Sequence, residues 1–237
     1  MFRIISIFLI GAGLSACSSY SYKSYNADRV SVDPTTEKDP EIDSLIAPYS
    51  SALVKEMGRV LGEATSDMEV ARPNSTLGQW VTNTLLKFGN DSLLVSNELP
   101  VIALLNKGGI RAAFSKGPLT VGDVFKLMPF DNQVVALKLP MDQLTEIVQY
   151  IQKSGGEPIA GFTINGSEAL FNNQSTVTFD YFWVITTDYL ANGGDKMLFF
   201  QAATEKIITR VLLRDLLLQE VERTGKVEEQ LEERIHF

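Results

Sequence analysis

The spacing of hydrophobic residues along the chain predicts a mixture of helices and strands. Several segments carry an apolar residue at every third or fourth position, which is the spacing of one face of a helix. The predicted helices are residues 41–62, 74–89, 118–128, 140–156 and 208–225. Other segments are continuous apolar runs bounded by turn residues, as in buried strands. The predicted strands are residues 99–106, 132–139, 159–166 and 175–190.

The ends of these segments carry residues that typically begin or end helices. Asn74 or Ser75 is a natural N-cap for the second helix, and Gly89 is a natural stop. Pro140 stands at the start of the fourth predicted helix. Strands and helices do not alternate regularly, so the sequence predicts one α+β domain at residues 41–237. We expect its acidic last segment, residues 226–237, to be frayed.

The N-terminal residues differ in composition from the rest of the chain. Arg3 precedes an apolar run too short to span a bilayer, and small residues precede Cys17. This layout predicts a lipoprotein signal peptide at residues 1–16, then a lipidated Cys17 and a flexible tether at residues 17–40. A plain signal peptide with an unmodified cysteine is the alternative. Ser18 favours the outer membrane, so we expect the protein in the bacterial envelope, lipid-anchored and facing the periplasm.

Composition excludes several classes of function. The formal net charge of −8 argues against binding to nucleic acid, whose phosphates would be repelled. His236 is the only histidine and Cys17 the only cysteine. These counts argue against histidine-based triads, and no ligand cluster of the kind used in two-metal phosphate hydrolysis is visible. We therefore assign no catalytic residue, metal ion or cofactor to this chain.

The segment NKGGIR, residues 106–111, is the first candidate for chemistry. Two glycines at the end of a predicted strand leave the backbone open to a ligand. The N–H groups of Gly108 and Gly109 can then form a concavity that binds anions. Arg111 adds a planar fork suited to phosphate or carboxylate oxygens, and Asn106 offers both a donor and an acceptor. A bulged turn with a surface arginine is the alternative interpretation.

Two later loops add aromatic residues and a carboxylate. Phe130 follows a proline at a turn, with Asn132 two residues on, and Tyr189 follows another predicted strand. Such rings on loops can hold a base by stacking. Three further residues in the second loop complete the pattern, with backbone N–H groups for an anion and a carboxylate for sugar hydroxyls: Gly193, Gly194 and Asp195.

The motifs NKGGIR, GPLTVGDVFKLMPFDNQVV and DYLANGGD, in this order, resemble the C-terminal substrate-recognition domain of the 5'-nucleotidase and UDP-sugar hydrolase family. The resemblance covers nearly all of residues 41–224. It implies a layered α/β/β/α domain. In the family this domain follows a metallophosphoesterase domain, which carries two divalent metal ions and the catalytic histidine. Only 40 residues precede Glu41 here, so we expect any such catalytic domain, with its metal ions, to be on a separate partner chain.

The resemblance also implies roles for individual residues. Asn106 and Arg111 would help to hold the phosphate and ribose, and Asp195 would bind the ribose hydroxyls. Phe130 and Tyr189 would stack on the base. Three positions have a less direct correspondence: Asn132 matches a position that can touch the base edge, Arg72 matches a family arginine at shifted spacing, and Lys107 replaces a small residue.

The sequence is compatible with three functions. The first is the nucleotide-recognition half of a split 5'-nucleotidase or UDP-sugar hydrolase, completed by a metallophosphoesterase chain. The second is a non-catalytic lipoprotein that binds a nucleotide or nucleoside. The third is a scaffold for protein–protein contacts.

Overall fold

The computed structural model describes residues 37–92, 99–171 and 179–237, together with Arg29 and Ser31. The predicted signal peptide, Cys17 and most of the predicted tether lie outside the described residues. Within these limits, no helix combines the length and the apolar character needed to cross a bilayer.

The order of elements is that of a mixed α+β protein, as the sequence predicts. The helices are α1 (Pro40–Met57), α2 (Thr76–Ser92), α3 (Val121–Leu127), α4 (Gln143–Ser154), the short α5 (Asp188–Ala191) and α6 (Leu213–Thr224). The strands are β1 (Val60–Ala64), β2 (Val101–Leu104), β3 (Gly117–Thr120), β4 (Gln133–Pro140), β5 (Ile159–Ala160), β6 (Phe162–Asn165), β7 (Glu168–Phe171), β8 (Tyr181–Thr187), β9 (Glu205–Leu212), β10 (Lys226–Val227) and β11 (Ile235–His236).

A five-stranded sheet in the order β5-β2-β8-β4-β9 forms the centre of the domain. Strand β8 pairs in parallel with β2, with Ile102 opposite Val184, and antiparallel with β4, with Ala136 opposite Ile185. These side chains are fully buried. Branched apolar residues suit this position because they pack well on a pleated surface that is covered on both faces.

Helix α2 packs against this sheet and differs at one end from the prediction. Ser75 caps its start, because the Ser75 hydroxyl accepts a hydrogen bond from the Gly78 N–H at 3.1 Å. The predicted stop at Gly89 is wrong, since the helix continues to Ser92. A Cβ at Gly89 would lie only 2.5 Å from the Ile185 side chain. Glycine is needed here for close approach of helix and sheet.

The predicted long helix at residues 208–225 is also wrong in its first part. Glu205–Leu212 is strand β9, which pairs with β4 along the edge of the sheet, and α6 begins only at Leu213. The apolar residues of this segment fit both the helical spacing and the alternating spacing of a strand. Pairing with the neighbouring strand β4 makes its first part a strand. Similarly, the predicted first helix ends at Met57, and Val60–Ala64 is a strand between β3 and β10.

Two further differences concern Pro140 and the acidic C-terminal segment. Pro140 ends strand β4 instead of starting helix α4. The C-terminal segment is not frayed: Ile235 and Arg234 are buried, and β11 pairs with β6. The Asn74 side chain accepts from the backbone N–H groups of both residues. Backbone pairing and two buried apolar side chains, Val227 and Ile235, therefore outweigh the acidic composition.

Candidate functional site: a cleft at one edge of the sheet

Three loops meet at one edge of the five-stranded sheet. Strands β2 and β8 are parallel, so their carboxyl ends lie at the same edge, and antiparallel β4 begins there. The loops enclose a cleft of about 350 Å³, hereafter the aromatic cleft, which is within the range of small-molecule sites. It is lined by Asn106, Gly108, Gly109, Arg111, Phe130, Asn132, Tyr189 and Asp195.

The loop after β2 is a tight turn that orients Asn106. The Gly109 N–H donates to the Asn106 carbonyl at 3.0 Å, and the Lys107 N–H donates to Glu157 Oε2 at 2.6 Å. A Cβ at Gly109 would lie 2.7 Å from Asn106 Oδ1, so any side chain there would displace the asparagine. The glycine thus permits the Asn106 side chain to turn towards the cleft.

Arg111 is anchored by its backbone, while its side chain is exposed. Its N–H donates to the Leu127 carbonyl at 2.8 Å, which ties the glycine loop to the end of helix α3. Its guanidinium donates through Nη1 to the Gly108 carbonyl at 3.1 Å. Arginine carries five such donors, and the others have no partner among the described residues, so they can bind an anion.

Asp195 connects the first and third loops. Its Oδ2 accepts from Asn106 Nδ2 at 2.5 Å, and its Oδ1 accepts from the Tyr189 hydroxyl at 2.8 Å. Its carbonyl accepts from the Tyr150 hydroxyl at 2.9 Å. Each carboxylate oxygen has a second lone pair, so Asp195 can still accept hydrogen bonds from a ligand. Residues 89 positions apart in sequence are thus joined directly.

The two tyrosines of this network are held in their neutral form. The hydrogen bond from Tyr189 to the Asp195 carboxylate raises the pKa of Tyr189 above its ordinary value of 10. Burial, and secondarily the charges of Glu157 and Asp195, raise the pKa of Tyr150. Both hydroxyls therefore remain donors at neutral pH. Tyr150 lies within helix α4, and no local sequence signal distinguishes it from the other residues of an amphipathic helix.

Gly193 and Gly194 do not line the cleft themselves but allow Tyr189 to do so. Gly193 has φ of +87°, a left-handed conformation that favours glycine. A Cβ at Gly194 would lie 2.5 Å from the Tyr189 ring. Asp195 is itself left-handed, with φ of +51°. Such backbone conformations in non-glycine residues are often found at ligand sites.

The loop before β4 presents Phe130 and is fixed from below by Arg214. Arg214 is buried at the start of α6, where its Nη2 donates to Asp131 Oδ1 at 2.5 Å. Its guanidinium lies 4.3 Å from the centre of the Phe125 ring. The Leu213 N–H donates to the Asn132 carbonyl at 2.9 Å. Arg214 is not among the residues predicted from the sequence, because only the fold brings α6 beneath this loop.

Arg72 lies apart from the aromatic cleft. It lines an adjoining cleft of about 510 Å³, hereafter the basic cleft, together with Glu69, Val70, Lys107, Gly108, Ile110, Arg111, Ala112 and Ala113. The Arg72 guanidinium donates to Glu157 Oε1 at 2.6 Å and to the Gly156 carbonyl at 2.7 Å. Gly108 and Arg111 belong to both clefts. Throughout the described part of the chain, no group of three or more His, Cys, Asp or Glu residues could hold a metal ion.

The chain is similar in sequence to a known family of domains and to two proteins of Bacillus subtilis. Residues 57–171 match the family model described as 5'-nucleotidase, C-terminal domain. The chain is 32% identical over 124 residues to the endonuclease YhcR of Bacillus subtilis, covering 52% of this chain and 10% of that protein. It is 23% identical over 237 residues to the trifunctional nucleotide phosphoesterase protein YfkN of the same organism, covering 89% of this chain and 16% of that protein.

A solved structure is similar in fold. The 5'-nucleotidase precursor from Thermus thermophilus matches with a TM-score of 0.66 and 24% identity. The match covers 82% of this chain and 42% of that chain. The chain therefore spans less than half the length of this relative, and a much smaller share of the two Bacillus proteins.

Proposed function

The chain contains a 5'-nucleotidase C-terminal domain, and we propose that this domain recognises a nucleotide in the aromatic cleft. The main support is the position of Phe130 and Tyr189. Phe130 lines the cleft from the loop before β4 and Tyr189 lines it from the short helix α5, and the two residues are 42% and 46% exposed. Large aromatic residues on different segments with this much exposed surface suit stacking on a base.

The polar residues of the cleft suit the rest of a nucleotide. Asp195 and Asn106 form a hydrogen-bonded pair that can accept from and donate to the ribose hydroxyls. Arg111 has guanidinium N–H groups that suit a phosphate attached to the same sugar. Asn132 lines the same cleft as the aromatic residues and has both a donor and an acceptor for the edge of a base.

Hydrolysis, in this proposal, belongs to a separate metallophosphoesterase chain. Such a partner would hold the divalent metal ions and supply the attacking water, while this chain positions the nucleotide. The resemblance of the three motifs to a domain that normally works beside a metallophosphoesterase supports this division. The function would then be that of the recognition half of a split 5'-nucleotidase or UDP-sugar hydrolase.

The proposed location follows from the N-terminal sequence. Lipid on Cys17 would anchor the protein in the outer membrane, and the tether would hold the domain in the periplasm. Extracytoplasmic nucleotides would then be the ligands available to it.

Calorimetric titration of the purified full-length protein with adenosine, AMP and a UDP-sugar tests the recognition role. We expect binding of at least one ligand, and a loss of affinity in Phe130→Ala. Stacking contributes about 1–3 kcal/mol per base, so the loss should be at least about fivefold. Phe237→Ala is a matched control, because Phe237 is 61% exposed and lies outside the cleft.

Two results would contradict the proposal. One is an absence of binding by the wild-type protein at millimolar concentrations of all three ligands. The other is binding that Phe130→Ala and Phe237→Ala reduce equally, since a specific stacking role predicts an effect only for Phe130. The first result would favour a scaffold for protein–protein contacts.

A further inference from the structure

The basic cleft differs from the aromatic cleft in the charges along its wall. Arg72, Lys107 and Arg111 all line it, against one carboxylate lining residue, Glu69. The aromatic cleft instead has Arg111 and Asp195 as its charged residues. The protein has a net charge of −8, so three cationic residues around one cleft give this cleft a charge character opposite to that of the whole molecule.

The three cations are not equally neutralised. Arg72 forms an ion pair with Glu157, a carboxylate that is only 4% exposed. Glu157 is itself used twice, since its other oxygen accepts from the Lys107 backbone N–H. Neither the Lys107 ammonium nor the Arg111 guanidinium forms an ion pair with a carboxylate of the described residues. These two charges are therefore the ones available to an anionic ligand.

Arg111 and Gly108 connect the two clefts. A nucleotide whose base lies between Phe130 and Tyr189 would bring its first phosphate near Arg111. A group attached to that phosphate would then extend into the basic cleft, past Gly108 and towards Lys107. Gly108 leaves room for this path, because even an added Cβ there would meet only ordinary contacts at 3.6 Å and beyond.

We propose that Lys107 and the basic cleft select nucleotides with a second phosphate over nucleoside monophosphates. This inference rests on the proposed function, because it requires the base to occupy the aromatic cleft. Lys107 is a specificity-determining residue that binds the second phosphate through its ammonium group. Glu69 weakens this binding, because the Glu69 carboxylate lines the same cleft and repels the phosphate.

Parallel titrations with adenosine, AMP, ADP and inorganic pyrophosphate test this role. In Lys107→Ala, we expect ADP and pyrophosphate to bind more weakly by about threefold to tenfold, the range between an exposed ion pair and a charge-assisted hydrogen bond. Adenosine affinity should be unchanged, and AMP affinity should change less than ADP affinity. Glu69→Gln should raise ADP affinity. Lys116→Ala, which removes an exposed lysine outside both clefts, should have no effect.

The outcomes distinguish this inference from the function on which it rests. Equal losses of AMP and ADP affinity in Lys107→Ala, or no loss of either, would overturn the selectivity while leaving nucleotide recognition intact. A wild-type protein that binds none of adenosine, AMP and ADP would overturn the proposed function and this inference with it. Pyrophosphate binding that is weakened by Lys107→Ala but not by Phe130→Ala would support an anion site in the basic cleft.

Discussion

Asp195 illustrates how much of the aromatic cleft depends on one residue. Its side chain joins Asn106 on the first loop to Tyr189 on the third, and its backbone carbonyl is held by Tyr150 on helix α4. Few other residue types could do the same. Asparagine would offer only one good acceptor atom in place of two, and glutamate would place the carboxylate one methylene further away.

Tyr189 combines two roles that mutation can separate. Its ring faces the cleft, and its hydroxyl donates to Asp195. Tyr189→Phe keeps the ring, so we expect adenosine affinity to fall by only about twofold to fivefold, as for one modest hydrogen bond. Tyr189→Ala removes the stacking surface and should reduce affinity by about fivefold or more.

Titration of both variants with adenosine, with thermal unfolding as a check on the fold, measures this difference. Equal effects of the two substitutions would show that the hydroxyl, not the ring, carries the contribution of Tyr189. Such a result would argue against stacking on this side of the cleft.

At the scale of elements, helix α6 supports the aromatic cleft from outside it. Arg214, in its first turn, is hydrogen-bonded to Asp131 and packs on Phe125. The adjacent Leu213 N–H holds the Asn132 carbonyl. The loop that presents Phe130 is therefore fixed by an element that contributes no residue to the cleft.

Arg214→Met tests this support. Methionine keeps apolar packing against Phe125, and the Asp131 side chain that loses its partner is 76% exposed, so water still solvates it and no unpaired charge is left buried. We expect a melting temperature close to that of the wild-type protein. Adenosine affinity should fall by about threefold to tenfold, because the Phe130 loop loses hydrogen bonds worth about 1 kcal/mol each.

Arg223→Met provides the matched control. Arg223 lies on the same helix but is exposed, and among the described residues its ion-pair partner is Glu220, three residues earlier. Its substitution should leave adenosine affinity unchanged. If Arg214→Met also leaves affinity unchanged while the protein stays folded, the loop does not depend on Arg214 for its position.

Helix α3 shows that some elements are specified almost entirely by their own residues. The Thr120 hydroxyl accepts from the Asp123 N–H, and the Asp123 carboxylate accepts from the Thr120 N–H, which forms a capping box. Partial burial raises the pKa of Asp123, but the hydrogen bonds from Thr120 and Lys126 outweigh it, so the net shift is downward. The carboxylate is therefore charged at neutral pH, as this cap requires.

At the scale of the whole molecule, the proposed function assigns recognition to this chain and hydrolysis to another. The chain has one histidine, and the described residues contain no cluster of three potential metal ligands. We expect the purified protein to release no phosphate from AMP when Mg²⁺ or Mn²⁺ is added, because metal-assisted phosphate hydrolysis needs such clusters.

A phosphate-release assay, with a two-domain 5'-nucleotidase as the positive control, checks this expectation. Metal-dependent phosphate release that persists after further purification would contradict it. The chain would then carry a catalytic site of its own, and no separate metallophosphoesterase would be needed.

The local features of the fold could be predicted from the sequence because they depend on neighbouring residues. The strand at residues 101–104 and the capped start of α2 both follow from short segments. The residues of the three loops could also be identified from short segments of the sequence. These loops combine adjacent glycines, an aromatic residue at a turn and nearby polar side chains. Such a combination is more typical of a ligand site than of a hydrophobic core.

The tertiary structure alone decided how these segments come together. Parallel pairing of β2 with β8 places Asn106 beside Asp195, and no local pattern encodes a pairing between such distant segments. Long-range pairing likewise made residues 205–212 a strand where helical spacing was also present. Tyr150 and Arg214 owe their positions to the packing of α4 and α6. The sequence by itself thus determined which residues are candidates for binding, and long-range packing determined which of them share a cleft.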